Sequence, residues 1–165
     1  MFADFLGFRH EIIESVKRGD EDKLFQRFMQ DVEPAIDRVT KPSELEESTS
    51  FPRMWDAKVF TDNVVLGYVI WSATGEKEFG SAICDLMEFQ LAAVLKGFFI
   101  RGGWAVGNLF MNRNTVFGAA LLDAYDLETN VAVQPRIVLS EGEVSRMPTD
   151  VASFQSTALL APDYG

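Results

Sequence analysis

The sequence predicts an α+β domain in which helices cover a mostly antiparallel sheet. Short apolar segments alternate with longer segments of helical periodicity along the 165-residue chain. Residues 56–72 indicate two strands joined by a Thr-Asp-Asn turn at 61–63, and the second strand is continuously apolar, as a buried central strand is. Because 47% of the residues are hydrophobic, the chain can build one proper core, and we expect a single domain over residues 1–165.

The N-terminal elements begin with an apolar strand that ends at a glycine turn. Apolar residues at helical spacing then predict a helix over 9–17, and a second amphipathic helix follows over 20–34. The polar segment 41–50 predicts an exposed loop.

A long helix is predicted over 76–97. Its apolar residues recur at spacings of four, and we assign this stripe to the core: Phe79, Ile83, Met87, Leu91 and Leu95. Cys84 lies in the same apolar stretch and is also expected to be buried.

The C-terminal half predicts a strand that carries Arg101, a second strand after several glycines, and a helix from Gly118 to Glu128. A further strand is expected over 136–139, and a short helix or turn over 141–147.

Charge and residue usage exclude several classes of function. The net charge is −10 and the pI is about 4.5, whereas a nucleic-acid-binding surface needs clustered Lys and Arg. A single cysteine allows no internal disulfide, which fits a reducing compartment. Neither a transmembrane-length apolar segment nor a signal-peptide pattern is evident. We therefore expect a cytoplasmic protein without nucleic-acid or membrane partners, and a lone surface histidine, His10, without a metal role.

Two aspartates at the ends of apolar strands, Asp4 and Asp62, suggest a divalent-metal site. Mg²⁺ and Mn²⁺ prefer oxygen ligands, commonly one or two carboxylates completed by water and phosphate oxygens. The helix start after Asp4 would also present amides and the positive end of a helix dipole to a polyanion. The alternative is structural: Asp4 would cap a helix, and Asp62 would lie in an ordinary turn.

Four motifs follow one another along the chain. Phe2 to Phe8 match F-x-D-x-x-G-F, Lys58 to Asp62 match K-x-x-x-D, Arg101 to Gly107 match R-x-G-x-x-x-G, and Gly118 to Ala124 match G-x-x-V/L-x-x-A. Through these motifs, over roughly residues 1–140, the chain resembles the class III nucleotidyl cyclase catalytic domain. The resemblance implies a ferredoxin-like arrangement of the α+β fold.

Further residues narrow the resemblance. The runs Arg-Gly-Gly, Val-Phe-Gly and Ala-Tyr-Asp-Leu-Glu, followed by Ala132 to Leu139, are similar to the bacterial pyrimidine cyclases of the Pycsar antiphage systems. This similarity implies an enzyme that converts UTP or CTP to the 3′,5′-cyclic monophosphate and pyrophosphate. It also implies a downstream effector that responds to the product as an antiphage signal.

The resemblance implies roles for residues around the metal site. Asp4, Asp62 and the backbone carbonyl of Phe5 would hold two Mg²⁺ or Mn²⁺ ions that polarise the α-phosphate, activate the ribose 3′-hydroxyl and neutralise the departing pyrophosphate. The β- and γ-phosphates would be bound by the backbone amides of Phe5, Leu6, Gly7 and Phe8. Arg101 would add a bidentate contact to the triphosphate. The alternative for Arg101 is a solvated charge at a strand end.

Lys58 and Thr115 match the positions that read the base in the family. Four residues of extended chain cover roughly 13 Å, so Lys58 and Asp62 cannot serve one small pocket. The family places them in different sites of a head-to-tail homodimer, in which one protomer supplies the metal and phosphate contacts and the other reads the base.

The identity of the second base reader disfavours a purine pocket. Adenylyl cyclases pair lysine with aspartate at these positions and guanylyl cyclases pair glutamate with cysteine, whereas this chain has Thr115. Lysine can donate to the O4 carbonyl of uracil, which favours UTP over CTP, although Thr115 could accept from the amine of cytosine. A small base also leaves room for an aromatic side chain to stack on it, and the candidates are Phe51, Trp55 and Phe117. The alternative is that these aromatic side chains pack in the core.

The chain also departs from the family. Purine cyclases carry an asparagine and an arginine on the helix after the glycine, where this chain has Leu122 and Asp126. Family members often carry a lysine late in the chain that binds the triphosphate. This lysine has no counterpart here, since no lysine follows Lys96. Loss of such an arginine can cost orders of magnitude in phosphoryl transfer. Candidate substitutes are Arg136, Tyr125, Asn63 and Arg113. A purine cyclase and a degenerate domain that binds nucleotide or a partner without turnover therefore stay open as alternatives.

Overall fold

The computed structural model describes residues 1–40, 55–71 and 76–140. The main sheet contains β1 Phe2–Phe5, β2 Trp55–Phe60, β3 Asn63–Tyr68, β4 Ile100–Trp104 and β7 Ile137–Leu139, and a two-stranded arm contains β5 Phe110–Met111 and β6 Val116–Phe117. The helices are α1 Phe8–Arg18, α2 Glu21–Asp31, α3 Glu33–Thr40, α4 Glu76–Leu95 and α5 Ala119–Asn130.

The main sheet has the order β2-β3-β1-β4-β7. The pairs β2–β3, β3–β1 and β1–β4 are antiparallel, and β7 joins β4 in parallel. The predicted α+β class with a mostly antiparallel sheet is therefore confirmed. The hairpin is confirmed as well, because β2 and β3 pair in register on either side of Thr61 and Asp62.

The two faces of the sheet have different covers. Side chains of one face pack into the main core with α1, α2, α3 and α4; those from the strands include Ala3, Phe5, Val64, Leu66, Ile100 and Trp104. The alternate residues point to the opposite face, where Phe2 and Val65 pack against Ala124 of α5 and against the β5–β6 arm. Since α5 covers only part of this second face, polar side chains at the strand ends remain accessible there.

The stripe assigned to the core on α4 is right for two of its five residues. Phe79 and Ile83 are buried, but Met87, Leu91 and Leu95 are 39%, 59% and 76% exposed. At 3.6 residues per turn, a spacing of four advances about 40° around the helix at every step, so a long run of such steps leaves the buried face. The buried residues instead mix spacings of three and four: Phe79, Ala82, Ile83, Leu86, Phe89 and Ala93. The burial predicted for Cys84 is also wrong, because its side chain is exposed.

The predicted helix over 20–34 is two helices. The first ends at Asp31 and the second begins at Glu33, so Pro34 lies in the first turn of α3. Proline is tolerated there because amides of the first turn have no partner within the helix. The loop predicted over 41–50, the element predicted over 141–147 and Phe51 lie outside the described residues.

Candidate active site

Residues from three separated motifs meet at one corner of the second face. Asp4 on β1 lies directly opposite Asn63 on β3 and Arg101 on β4, and residues directly opposite one another point to the same face of a sheet. Asp62 precedes β3, and its carbonyl accepts a hydrogen bond of 2.8 Å from the amide of Phe5. The sheet therefore brings Asp4, Asp62 and Arg101 together.

Negative charge dominates this corner. The pKa of Asp4 is raised, first by burial, then by the charges of Asp62 and Glu128, while Arg101 opposes the shift. A guanidinium nitrogen of Arg101 lies 3.7 Å from the Asp4 carboxylate. Among the described residues, three carboxylates face one guanidinium here, and a bound cation would relieve the excess of negative charge.

The turn between β2 and β3 fixes the Asp62 side chain. Its Oδ1 accepts hydrogen bonds from the Thr61 hydroxyl at 2.8 Å and from the Asn63 amide at 2.9 Å. Thr61 has φ 54°, a left-handed conformation that β-branched residues rarely adopt and that costs about 1 kcal/mol or more. Backbone strain of this kind is concentrated at functional sites.

The residues at this corner fit a magnesium or manganese ion that is held by few protein ligands. Within the described ranges, no cluster of three or more His, Cys, Asp or Glu side chains is arranged as a metal cage. Mg²⁺ commonly takes only one or two carboxylates and completes its shell with water and phosphate oxygens, which Asp4 and Asp62 would allow. The N–H and C=O of one strand residue point to the same side. The hydrogen bond from the Phe5 amide to the Asp62 carbonyl places Phe5 beside Asp62, which is compatible with Phe5 as a backbone ligand.

The turn after β1 offers fewer amides than the sequence suggested. The amides of Phe5 and Leu6 donate to the carbonyls of Asp62 and Phe99, each at 2.8 Å. Contrary to our expectation, they are unavailable to phosphate, because the sheet continues through them. The amides of Gly7 and Phe8 make no hydrogen bond to any described residue and lie at the N-terminus of α1. Gly7 has φ 82°, a conformation that explains the glycine at this turn.

Sequence reasoning missed Glu128 as part of the site. This residue of α5 is 4% exposed, and its Oε1 lies 2.5 Å from a guanidinium nitrogen of Arg101. Ala120, Ala124 and Glu128 are spaced four residues apart along α5, and both alanines are buried. A carboxylate in register with two small residues on the inner face of a helix is the signal that would have identified it.

The base-reading candidates lie elsewhere on the same face, at the β5–β6 arm. The ammonium of Lys58 donates to the backbone carbonyl of Arg113 at 2.7 Å. Thr115 is exposed two residues later, and its amide donates to the Asn112 side chain at 2.8 Å. A cavity of about 470 Å³ adjoins Lys58 and is otherwise lined by Phe2, Val59, Phe60, Val65, Asn114, Val116, Leu121, Leu122 and Tyr125.

The aromatic candidates separate into core and surface. Trp55 is buried, stacks edge-on against Tyr68 with ring centroids 4.6 Å apart, and donates its indole N–H to Asp85 at 2.7 Å. Trp55 is thus a core residue. Phe117 is 74% exposed, which excludes core packing within one protomer. His10 is exposed, as predicted.

The groups that could replace the family's asparagine and arginine occupy different places. Asn63 binds Asp62 directly. Tyr125 is half exposed and packs edge-on against Phe2 with ring centroids 5.3 Å apart. The carbonyl of Arg136 accepts the amide of Gly102 next to β4, and Arg113 is exposed in the arm. Asn63 is thus bound directly to a candidate metal ligand.

Comparisons of the chain with protein-family models, with curated proteins and with solved structures find no match. In the part of the chain that the structure describes, none of the helices combines the length and the apolar character needed to span a bilayer.

Proposed function

We propose that this chain is a pyrimidine nucleotide cyclase that converts UTP, and less readily CTP, to the 3′,5′-cyclic monophosphate and pyrophosphate. The observation that carries the proposal is the convergence of Asp4, Asp62 and Arg101, from three motifs far apart in sequence, at one negatively charged corner of the sheet. Each residue alone has an ordinary structural explanation. Their assembly around one point does not follow from capping, turn formation or surface solvation.

The chain's own groups would divide the work as follows. Asp4 and Asp62, with the Phe5 carbonyl, would hold Mg²⁺ or Mn²⁺, which supplies charge that polarises the α-phosphate and favours the ionised 3′-hydroxyl. Arg101 would bind the triphosphate through its unused N–H groups. The amides of Gly7 and Phe8 would contact the β- and γ-phosphates at the positive end of α1.

The complete site would require a homodimer. Phe60, Leu122 and Tyr125 line the cavity beside Lys58 and are exposed on the second face, and Phe117 of the neighbouring β5–β6 arm is exposed as well. Exposed apolar surface of this kind is typical of an interface. In a dimer with a twofold axis, the same surface of both protomers would be buried and two equivalent sites would form. Lys58 and Thr115 of one protomer would then read the base bound to the metal site of the other.

The ammonium of Lys58 is anchored by one carbonyl and retains donors for the O4 carbonyl of uracil. The same proposal includes a cytoplasmic enzyme whose product acts as an antiphage signal through a separate effector. These two parts depend on the resemblance to the Pycsar cyclases.

A second candidate is a cyclase-like domain that binds nucleotide without turnover. The observation in its favour is that Leu122 and Asp126 are both exposed on α5 at the positions where purine cyclases carry asparagine and arginine.

Product formation and UTP binding by the wild-type protein separate the two candidates, and replacing one metal ligand tests the metal site. The wild-type protein should form cyclic UMP from UTP and Mn²⁺, and Asp62→Asn should lower the rate at least 100-fold, since it removes a carboxylate that holds the catalytic ion. Asp123→Asn, an exposed change on α5, should leave the rate unchanged. Product analysis by mass and UTP binding by calorimetry are measured side by side. UTP binding without product in the wild-type dimer would favour the second candidate.

A further inference from the structure

Glu128 lies behind Arg101 as seen from the two aspartates, and it is a buried charge. Its Oε1 contacts the guanidinium of Arg101 at 2.5 Å, and its Oε2 accepts a hydrogen bond from the Thr129 hydroxyl at 3.0 Å. A carboxylate that is only 4% exposed needs a compensating charge, because an unpaired buried charge costs several kcal/mol. Arg101 is thus bound to Glu128 in the free protein.

The same nitrogen of Arg101 faces two carboxylates at unequal distances. It lies 2.5 Å from Glu128 and 3.7 Å from Asp4. Coulomb attraction rises as the separation falls, so Glu128 is the stronger partner. Without Glu128, the guanidinium would have Asp4 as its nearest carboxylate and would neutralise an oxygen that a cation needs.

Close packing of α5 on β4 makes this arrangement possible. A Cβ atom at Gly103 would lie 2.1 Å from the carbonyl oxygen of Ala124 and 2.9 Å from the amide of Glu128. The helix backbone therefore rests directly on the strand, two residues from Arg101. The Nε of Arg101 is buried without a hydrogen-bond acceptor among the described residues, whereas the side chain as a whole is 28% exposed, so a contact with a phosphate oxygen would use the terminal nitrogens.

We propose that Glu128 is a positioning residue that holds Arg101 on the α5 side of the site and thereby keeps the guanidinium from occupying the Asp4 and Asp62 carboxylates. The inference rests on the proposed function, because it takes these two carboxylates as the cation site. In this arrangement Arg101 can serve the triphosphate while the aspartates serve the cation.

Mn²⁺ binding to the full chain without nucleotide tests the proposal. Calorimetry would compare the wild type, Glu128→Gln, Arg101→Met and the double variant. Glu128→Gln should raise the Mn²⁺ dissociation constant roughly tenfold, a typical effect of an outer-shell change. In the Arg101→Met background the same change should have little effect, since the competing guanidinium is gone.

Two results of this four-protein comparison would overturn the proposal. One is unchanged Mn²⁺ affinity in Glu128→Gln. The other is an equal loss of affinity in both backgrounds, which would mean that Glu128 acts only as a distant negative charge. A purely structural role would lower the melting temperature and leave the Mn²⁺ affinity of the folded protein unchanged.

Further measurements distinguish a failure of this inference from misfolding of the variant and from a failure of the proposed function. Glu128→Asp keeps the charge but is shorter by one methylene, so it should weaken Mn²⁺ binding by an intermediate factor; full wild-type affinity would contradict the proposal. Asp123→Asn on the same helix should bind Mn²⁺ as the wild type does. A wild-type chain that binds no Mn²⁺ overturns both the metal-dependent function and this inference, whereas wild-type binding with unchanged Glu128→Gln overturns the inference alone.

Discussion

At the scale of single residues, Asp4 is charged at a cost to the folded state. Burial, Asp62 and Glu128 together raise its pKa above the ordinary value. When the folded-state pKa of an acid exceeds its unfolded-state pKa, the folded state binds more protons between the two values. Stability of the metal-free protein therefore falls as the pH rises through that window, and the penalty persists at neutral pH.

Asp4→Asn should consequently raise the melting temperature of the protein in EDTA at pH 7 while abolishing activity. The neutral amide removes the repulsion between the partly buried Asp4 carboxylate and the charges of Asp62 and Glu128. Substitutions that stabilise a protein at the expense of its activity are common at active sites. Thermal unfolding followed at pH 7 and at pH 4 measures the effect, which should shrink at the lower pH as Asp4 becomes protonated. Asp123→Asn, which is exposed, serves as the control. A lower melting temperature at pH 7 would show that the attraction to Arg101 outweighs the repulsion.

Which residues lie together at the candidate site was predictable from sequence only where a motif contained them. Asp4, Asp62 and Arg101 occupy motif positions, and the structure brings them together. Glu128 was missed because acidic residues on helices are usually solvated, and only the register of α5 on β4 shows that this one is buried. The amides of Phe5 and Leu6 were misjudged because strand pairing beyond β1 is a long-range property.

At the scale of elements, the contact between α5 and β4 positions the site. The Cβ of an alanine at position 103 would overlap the carbonyl oxygen of Ala124, and neither backbone can move without separating helix from strand.

Gly103→Ala should therefore destabilise the fold by about 1–3 kcal/mol, the usual cost of overpacking. Gly80→Ala, in the second turn of α4 with nothing within 4 Å of the added Cβ, should stabilise by about 0.5–1 kcal/mol through helix propensity. Urea unfolding of both variants gives the comparison. Equal stabilities would argue against the close packing of α5 on β4.

Features that depend on one short segment were predicted correctly, whereas the faces and ends of helices, which depend on packing against the rest of the fold, were not. The hairpin at 61–63 was found because its turn and apolar strands lie within one short segment. The buried face of α4 was predicted with a uniform spacing of four residues, which is wrong because Leu91 and Leu95 lie far around the helix from Phe79 and are exposed. Pro34 was predicted to end a helix, but it lies in the first turn of α3.

At the scale of the whole molecule, exposed apolar side chains and the acidic corner of Asp4, Asp62 and Glu128 lie on the same side of the sheet. Fold class followed from the alternation of strands and helices, but the pairing of β7 with β4 in parallel and the position of the β5–β6 arm depend on contacts between distant segments. A homodimer would cover the exposed face and join Lys58 of one protomer to Asp62 of the other.

Mixed dimers test that composite site. Asp62→Asn and Lys58→Ala should each be inactive, yet equal mixtures that exchange freely should recover about a quarter of wild-type activity, because half the dimers then contain one intact site of two. A mixture of Asp62→Asn with Asp4→Asn is the matched control and should stay inactive, since both defects affect the same half of every site. Absence of rescue in the first mixture, with exchange verified by mass, would contradict a shared site.

The identity of the product is the most direct test of the proposed reaction. Purified wild-type protein is incubated with Mn²⁺ and each of the four ribonucleoside triphosphates separately, and the products are identified by chromatography and mass. The proposal predicts cyclic UMP as the main product, a smaller amount of cyclic CMP, and loss of both in EDTA. A cyclic purine monophosphate as the main product would contradict the assignment of Thr115 to a pyrimidine pocket, and no cyclic product from any triphosphate would contradict the cyclase itself.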